Sequence, residues 1–180
     1  LYDAREVFLF ECYTGIRISD ILTLKWKHIT DEKISIRMRK TEKLLSIPIN
    51  DYVRAVLDRR RCAVENNGGK ITSEKYVFNI LKVDVDEVSA QDALNAISSA
   101  TAVINKQLKK IAKKTGIDKN LSTHCARHSY ATALLTNNIP LPVIKEMLGH
   151  SDIKVTQIYA KVVDSKRNEV VECLNKVYHG

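Results

Sequence analysis

The chain has 180 residues, of which 44% are hydrophobic and 28% charged, which is the composition of a globular domain rather than a disordered segment. Its 29 Lys and Arg against 21 Asp and Glu give a net charge of +8, which favours a polyanionic partner, most simply nucleic acid. The four cysteines are scattered and form no CxxC pair, which disfavours a zinc knuckle and indicates reduced thiols in the cytoplasm. The sequence shows no apolar run of membrane-spanning length and no signal peptide, which disfavours a membrane protein.

The N-terminal part predicts two helices joined by a tight turn. A mostly apolar helix covers residues 2–13, and Gly15 follows where a left-handed cap would end it. Ser19 is expected to cap a second helix, which leaves Arg17 in the joint between the two. Residue 1 is Leu rather than Met and falls within a helical pattern, so we expect the chain to be a piece of a longer protein.

A β-hairpin follows these helices. Residues 33–39 alternate as KISIRMR, which predicts a half-buried strand, and residues 44–49 predict a second. Pro48 marks the second strand as an edge strand. The turn between the strands presents Lys40 and Lys43 to solvent or to a partner.

The middle of the chain predicts two further helices. Asn50 begins one that runs to about residue 65, and the short apolar run 76–78 is compatible with a third strand. The acidic residues of the segment 82–92 need no explanation beyond solubility. A long helix from Ser89 or Ala90 to Thr115 places its basic residues on one face, which is either a solvated face or one that contacts phosphates. Those residues are Lys106, Lys109, Lys110, Lys113 and Lys114.

The stretch 121–135, LSTHCARHSYATALL, carries the first candidate site. A helix is expected to start at Ser122 or Thr123, and His124 and Arg127, three residues apart, then share one face. An imidazole beside a guanidinium near a helix N-terminus suits phosphate binding. His124 and His128 could instead form a metal pair, although no glutamate stands between them and His128 is expected to point toward the core.

The C-terminal part predicts a short helix, a capped turn and a final amphipathic helix over residues 164–178. Pro140 or Pro142 starts the short helix, with Val143, Ile144, Met147 and Leu148 facing inward. Gly149 ends it and places His150 beyond its end, and Tyr159 lies in the helical turns that follow. Altogether the elements predict a mainly α fold with a small antiparallel β-sheet.

Cleaving a phosphodiester without a metal or a nucleotide cofactor requires a nucleophile, fixed cations for the developing negative charge, a general acid and usually a general base. Two arginines are the best clamps, because the guanidinium fork matches phosphate oxygens. The sequence offers candidates for each role, but each candidate residue taken alone could have an ordinary structural role. Arg17 could be a capping arginine, His150 a helix-ending hydrogen bonder and Tyr159 a core residue.

Four motifs in the expected order resemble the catalytic domain of the tyrosine recombinases, also called the phage integrase family. They are residues 14–22 (TGIRISDIL), Lys40 followed by residues 46–49 (SIPI), residues 121–128 (LSTHCARH), and residues 148–152 (LGHSD) with residues 156–159 (TQIY) after them. The resemblance covers nearly all of residues 1–180 and implies one domain with the fold of that family. The family's N-terminal core-binding domain is not expected within residues 1–180.

The resemblance also implies a role for each matching residue. Arg17 and Arg127 would hold the scissile phosphate, and His150 would hydrogen-bond it. Tyr159 would be the nucleophile that forms a 3′-phosphotyrosyl link and releases a 5′-hydroxyl.

On the proton-transfer side, the resemblance implies that Lys40 protonates the leaving oxygen, with Lys43 as the second choice. His124 would assist proton transfer to and from the tyrosine. Asp20 stands where the family often has glutamate, and its shorter arm is expected to orient the first arginine motif all the same.

The partners implied are double-stranded DNA, contacted by Lys43 and the helix lysines Lys106, Lys109, Lys110 and Lys113, and further copies of the chain, as a tetramer on DNA. No cofactor and no metal are expected, because the covalent link conserves the bond energy. The expected setting is the bacterial cytoplasm, associated with the nucleoid, and the expected reaction is integration or excision of a mobile element.

Three alternatives remain open from the sequence. A type IB topoisomerase-like enzyme would use the same chemistry to relax supercoils. A non-catalytic DNA-binding relative would have lost a catalytic residue, whereas all six positions are filled here. A metal-dependent hydrolase would use His124 and His128.

Overall fold

The computed structural model describes residues 1–149, and within them the predicted mainly α fold with a small antiparallel sheet is confirmed. The helices are α1 (Tyr2–Thr14), α2 (Ile18–Leu22), α3 (Asp51–Asn66), α4 (Ala90–Thr115), α5 (Thr123–Thr136) and α6 (Leu141–Met147), with a short 3₁₀ helix at Trp26–His28. The strands are β1 (Lys33–Arg37) and β2 (Leu44–Pro48). The chain divides into two compact units, residues 1–130 and residues 131–180. The prediction that residues 1–180 form one catalytic domain therefore stays a prediction.

Helix α1 is central to the first unit, where it contacts α2, α3 and α4. Its Val7 and Phe10 are fully buried, and the Phe10 ring meets the edge of Phe78 at a centroid distance of 5.2 Å. The helix ends as predicted at Gly15, whose φ of 65° is left-handed and whose N–H donates to the Glu11 carbonyl at 2.8 Å.

The joint between α1 and α2 differs in detail from the sequence prediction. Arg17, not Ser19, is the residue preceding the first turn of α2, and its carbonyl accepts from the N–H groups of Asp20 and Ile21. Ser19 lies inside the helix. The extended backbone of Arg17 therefore sets the direction in which α2 leaves the joint.

The two predicted strands form an antiparallel β-hairpin with one apolar face. Ile34 pairs with Ile47 and Ile36 pairs with Leu45, and all four side chains are buried. The connecting turn, residues 38–43, is closed by the Met38 N–H donating to the Lys43 carbonyl at 2.9 Å.

The two remaining helices of this unit have side-chain caps. Asn50 accepts from the Val53 N–H in α3, and Ser89 accepts from the Asp92 N–H in α4. Along α4, Ile104 and Leu108 are buried as predicted, whereas the predicted lysine face is exposed.

A buried lysine shows that the acidic segment does more than promote solubility. The Lys25 side chain is only 6% exposed, and its Nζ lies 3.1 Å from Asp84 and 2.7 Å from Asp86. The Tyr76 hydroxyl donates to the same Asp84 at 2.7 Å. The predicted third strand at 76–78 is wrong within residues 1–149, since Tyr76 makes only an isolated bridge with Lys25.

Residues 131–149 of the second unit comprise the end of α5 and the helix α6. Pro140 precedes the first residue of α6, as predicted. Ile144 and Leu148 are buried, whereas Val143 is 45% exposed, so its predicted inward orientation is wrong. Within residues 1–149 no helix combines the length and the apolarity that crossing a bilayer requires.

Candidate active site

Arg127 is held by the joint between α1 and α2. Helix α5, which carries it, begins as predicted, with the Ser122 hydroxyl accepting from the Cys125 N–H at 3.4 Å. The Thr123 N–H donates to the Asn105 side chain on α4 at 2.9 Å and ties the start of α5 to that helix. Arg127 is 7% exposed, and its Nη1 donates to the carbonyl of Gly15, which places this guanidinium beside the segment that carries Arg17.

Asp20 links both arginines to the hairpin turn. Its side chain is buried, and Oδ1 accepts from the Arg39 N–H at 2.9 Å. Burial raises the pKa of Asp20, while the Arg39 hydrogen bond and the positive charges of Arg17 and Arg127 lower it by less. One buried carboxylate therefore lies within the electrostatic reach of both proposed phosphate clamps and holds the backbone beside Lys40.

The turn that bears Lys40 is also in contact with Arg17, whose Nη1 lies 3.2 Å from the Met38 sulfur. Lys40 and Lys43 are both exposed, as predicted. Lys40 directly follows Arg39, the residue anchored to Asp20, whereas Lys43 lies at the far end of the turn, just before β2. This placement favours Lys40 over Lys43 as the lysine next to the arginines.

His124 and His128 face each other on α5. Their Nε2 atoms are 2.7 Å apart, and their rings meet edge to face with centroids 4.2 Å apart. The prediction that His128 points toward the core is wrong, since its ring is half-buried and contacts the exposed His124. Within residues 1–149 no group of three or more His, Cys, Asp or Glu side chains could hold a metal ion.

Glu11 was missed by the sequence analysis. It is 2% exposed on α1, and its Oε2 has no hydrogen-bond partner within the described part of the chain. Burial raises the pKa of Glu11 from 4.5 to about 9, although the nearby Arg127 charge opposes this. A carboxyl group in the apolar run VFLFECY was the available signal, because such groups are rarely buried without a partner.

The remaining predicted residues fall outside this cluster. His150 and Tyr159 lie beyond the described residues, and so does the helix predicted over 164–178. The lysines of α4 are exposed and contribute no described contact to the arginine site. A cavity of about 670 Å³, lined by parts of α1, α3 and the segment 69–84, contains none of the predicted catalytic residues.

Known proteins resemble this chain in sequence. Residues 2–166 match the model of the phage integrase family. A tyrosine recombinase XerD of Listeria monocytogenes serotype 4b (strain F2365) is 48% identical over 160 residues, covering 87% of this chain and 49% of the relative. Tyrosine recombinase XerA of Saccharolobus solfataricus is 30% identical over 163 residues, covering 90% of this chain and 47% of the relative. The chain thus spans about half the length of these curated relatives.

Two solved structures share the fold at low sequence identity. A crystal structure of XerA recombinase has a TM-score of 0.64 at 20% identity, covering 93% of this chain and 62% of that one. The XerH site-specific recombinase bound to a palindromic difH substrate, in its post-cleavage complex, has a TM-score of 0.64 at 22% identity, covering 96% of this chain and 45% of that one. The residue motifs, the fold and the family match agree, and the chain belongs to the phage integrase family of tyrosine recombinases.

Proposed function

We propose that the protein containing this chain cuts and rejoins double-stranded DNA at specific sites through a covalent phosphotyrosyl intermediate. The observation that supports this most strongly is the arrangement around Asp20. One buried carboxylate is close to Arg17 and Arg127 and hydrogen-bonds the turn beside Lys40. Two guanidinium groups near one carboxylate, with a lysine on the adjoining turn, suit a phosphate whose leaving oxygen needs a proton.

In the proposed reaction, Tyr159 attacks phosphorus, and the bond from phosphorus to the 5′-oxygen breaks. Arg17 and Arg127 neutralise the charge that develops on the non-bridging oxygens, with His150 as a further hydrogen-bond donor. Lys40 protonates the departing 5′-oxygen.

His124 takes the proton of the tyrosine hydroxyl and returns it when a 5′-hydroxyl attacks the phosphotyrosyl link. Attack by a 5′-hydroxyl from a different strand completes the exchange. Because each step replaces one phosphoester by another, the cycle needs no metal and no ATP.

DNA contact beyond the scissile phosphate is assigned to the exposed lysines. Lys43 is on the same turn as Lys40, and the α4 lysines Lys106, Lys109, Lys110 and Lys113 add a second basic surface. Each phosphate contact contributes salt-dependent and sequence-independent affinity. We further propose that several copies, four in a complete complex, assemble on DNA and that the protein acts in the bacterial cytoplasm at the nucleoid.

Covalent trapping tests the proposed chemistry. A nicked suicide substrate loses the 5′-hydroxyl fragment after cleavage, so the wild-type protein should accumulate a protein–DNA adduct, and Tyr159→Phe should accumulate none. Tyr52→Phe is a matched control, because Tyr52 is 66% exposed on α3. An undiminished adduct with Tyr159→Phe would overturn the assignment, and relaxation of supercoiled plasmid without site preference would favour a topoisomerase.

The natural reaction has two candidates. Integration or excision of a mobile element is the first, and resolution of chromosome dimers is favoured by the relatives named XerD and XerA. Mapping the bound chromosomal sites of the protein separates them. Binding at the ends of a mobile element supports the first, and binding at one site in the replication terminus supports the second.

A further inference from the structure

We propose that His128 is a positioning residue that fixes the tautomer of His124, so that Nδ1 of His124 is the nitrogen that receives the tyrosine proton. This inference rests on the proposed function, which makes His124 the proton acceptor. It starts from a contact that the proposed mechanism does not use, the 2.7 Å approach of the two Nε2 atoms.

Two ring nitrogens at this distance must share one proton, since a neutral imidazole carries one N–H and one lone pair. If His124 donates, its Nε2 bears the proton and its Nδ1 bears the lone pair. If His128 donates, Nδ1 of His124 bears the proton and the ring has no free lone pair for the tyrosine. Only the first arrangement leaves His124 competent as a base.

The surroundings favour the first arrangement during the reaction. His128 is the more buried ring, and burial, together with the neighbouring His124 and Arg127, lowers the pKa of His128. A lowered pKa favours the neutral form of His128. A neutral His128 can accept at Nε2 and stabilise the positive charge that forms on His124.

The proton movements then balance. The Tyr159 oxygen forms a bond to phosphorus and its proton passes to Nδ1 of His124, while the phosphorus–O5′ bond breaks and Lys40 supplies a proton to O5′. Throughout, Nε2–H of His124 donates to Nε2 of His128. A base oriented by a third group through its other nitrogen is a common design in nucleophilic catalysis.

Long-range ¹H–¹⁵N spectra of the histidine-labelled protein measure the tautomer directly. We expect His124 to carry its proton on Nε2 at neutral pH, with its signals assigned through His124 and His128 variants. We expect His128→Leu to convert His124 to a mixture of tautomers. A wild-type His124 with its proton on Nδ1 would overturn the proposal.

Cleavage rates separate positioning from packing. His128→Leu should slow single-turnover adduct formation by about tenfold, which is part of the roughly 10²–10⁴-fold that a positioned general base contributes. His128→Gln should restore most of the rate, because its amide oxygen can accept near the position of Nε2. Equal rates for the Leu and Gln variants would indicate packing alone and refute the proposal. Ser129→Ala is the matched control, since its hydroxyl bonds the Cys125 carbonyl and should not affect the rate.

A double-mutant cycle tests whether His128 acts through His124. In a His124→Leu background, His128→Leu should cause no further loss, because the ring that it orients is already gone. Multiplying losses would overturn the inference.

A substrate with sulfur at the bridging 5′ position adds a test of which proton transfer is affected. A thiolate leaves without a proton, so Lys40→Ala should be rescued and His128→Leu should not. Rescue of His128→Leu by sulfur would place its effect on the leaving group and refute the proposal. If Tyr159→Phe still forms the adduct, the proposed function itself fails, which is a separate result.

Discussion

Replacing Glu11 by glutamine should stabilise the protein, and the gain should grow with pH. The Glu11 side chain is buried on α1, and its pKa is about 9 in the folded protein against an ordinary value of 4.5. Between these two values the unfolded chain is ionised at Glu11, whereas the folded chain holds a proton. Folding must then take up a proton, so stability is highest below pH 4.5 and falls as the pH rises toward 9.

The size of the effect follows from the shift. At pH 7 the solution is about 2.5 pH units above the ordinary pKa of 4.5. Each unit corresponds to about 1.4 kcal/mol, so the buried carboxyl lowers the free energy of unfolding by about 3.5 kcal/mol. A glutamine has no proton to take up and keeps the shape of the protonated acid. We therefore expect Glu11→Gln to be more stable than the wild type by about 0.7 kcal/mol at pH 5 and by about 3.5 kcal/mol at pH 7.

Urea unfolding of the purified protein at several values between pH 5 and pH 8.5 measures this difference. Glu6→Gln is the matched control on the same helix, because Glu6 is also buried but lies 2.6 Å from Arg5 and 2.9 Å from Arg59. Losing those ion pairs should destabilise the protein by about 1–3 kcal/mol. A Glu11→Gln difference that does not change with pH, or a loss of stability at pH 8, would show that Glu11 is ionised in the folded state.

Two other changes test contacts in the first unit. Lys25→Met should lower the free energy of unfolding by about 2–3 kcal/mol in urea titrations, because it removes the cation between Asp84 and Asp86. Lys27→Met, whose ion pair is exposed, should cost less than about 1 kcal/mol, and equal losses would contradict this reasoning. Asp20→Ala should slow adduct formation at least tenfold in single-turnover assays with little change in DNA affinity by gel shift, because the turn beside Lys40 loses its anchor. Asp20→Asn, which retains an acceptor, should be slowed less, and a loss confined to DNA affinity would count against the positioning role.

The regular elements could be predicted from the sequence because local signals determine them. Gly15 adopts the left-handed conformation that was expected to end α1, and Asn50 and Ser89 both cap the helices that they were expected to begin. The apolar face of β1 could be predicted because Ile34 and Ile36 alternate with polar residues along that strand.

The contacts around the site could not be predicted in the same way, because they join residues far apart in the chain. Nothing near Asp20 in sequence indicates that its oxygen accepts from Arg39, and nothing near Lys25 indicates its pairing with Asp84. The His128 error has a different cause. An α-helix has 3.6 residues per turn, so His124 and His128, four residues apart, lie almost above one another. A side chain that periodicity assigns to the core can therefore still contact the exposed ring of His124.

The hydrogen bond from Arg127 to Gly15 has a consequence for how the site can change during evolution. Its acceptor is a main-chain carbonyl, which every amino acid supplies, so no substitution at position 15 can delete the acceptor itself. What a substitution can change is the backbone path, because the φ of 65° at Gly15 is accessible to glycine at little cost. The side chains around the joint of α1 and α2 can therefore change while the Arg127 guanidinium keeps its acceptor, provided that the chain still turns there.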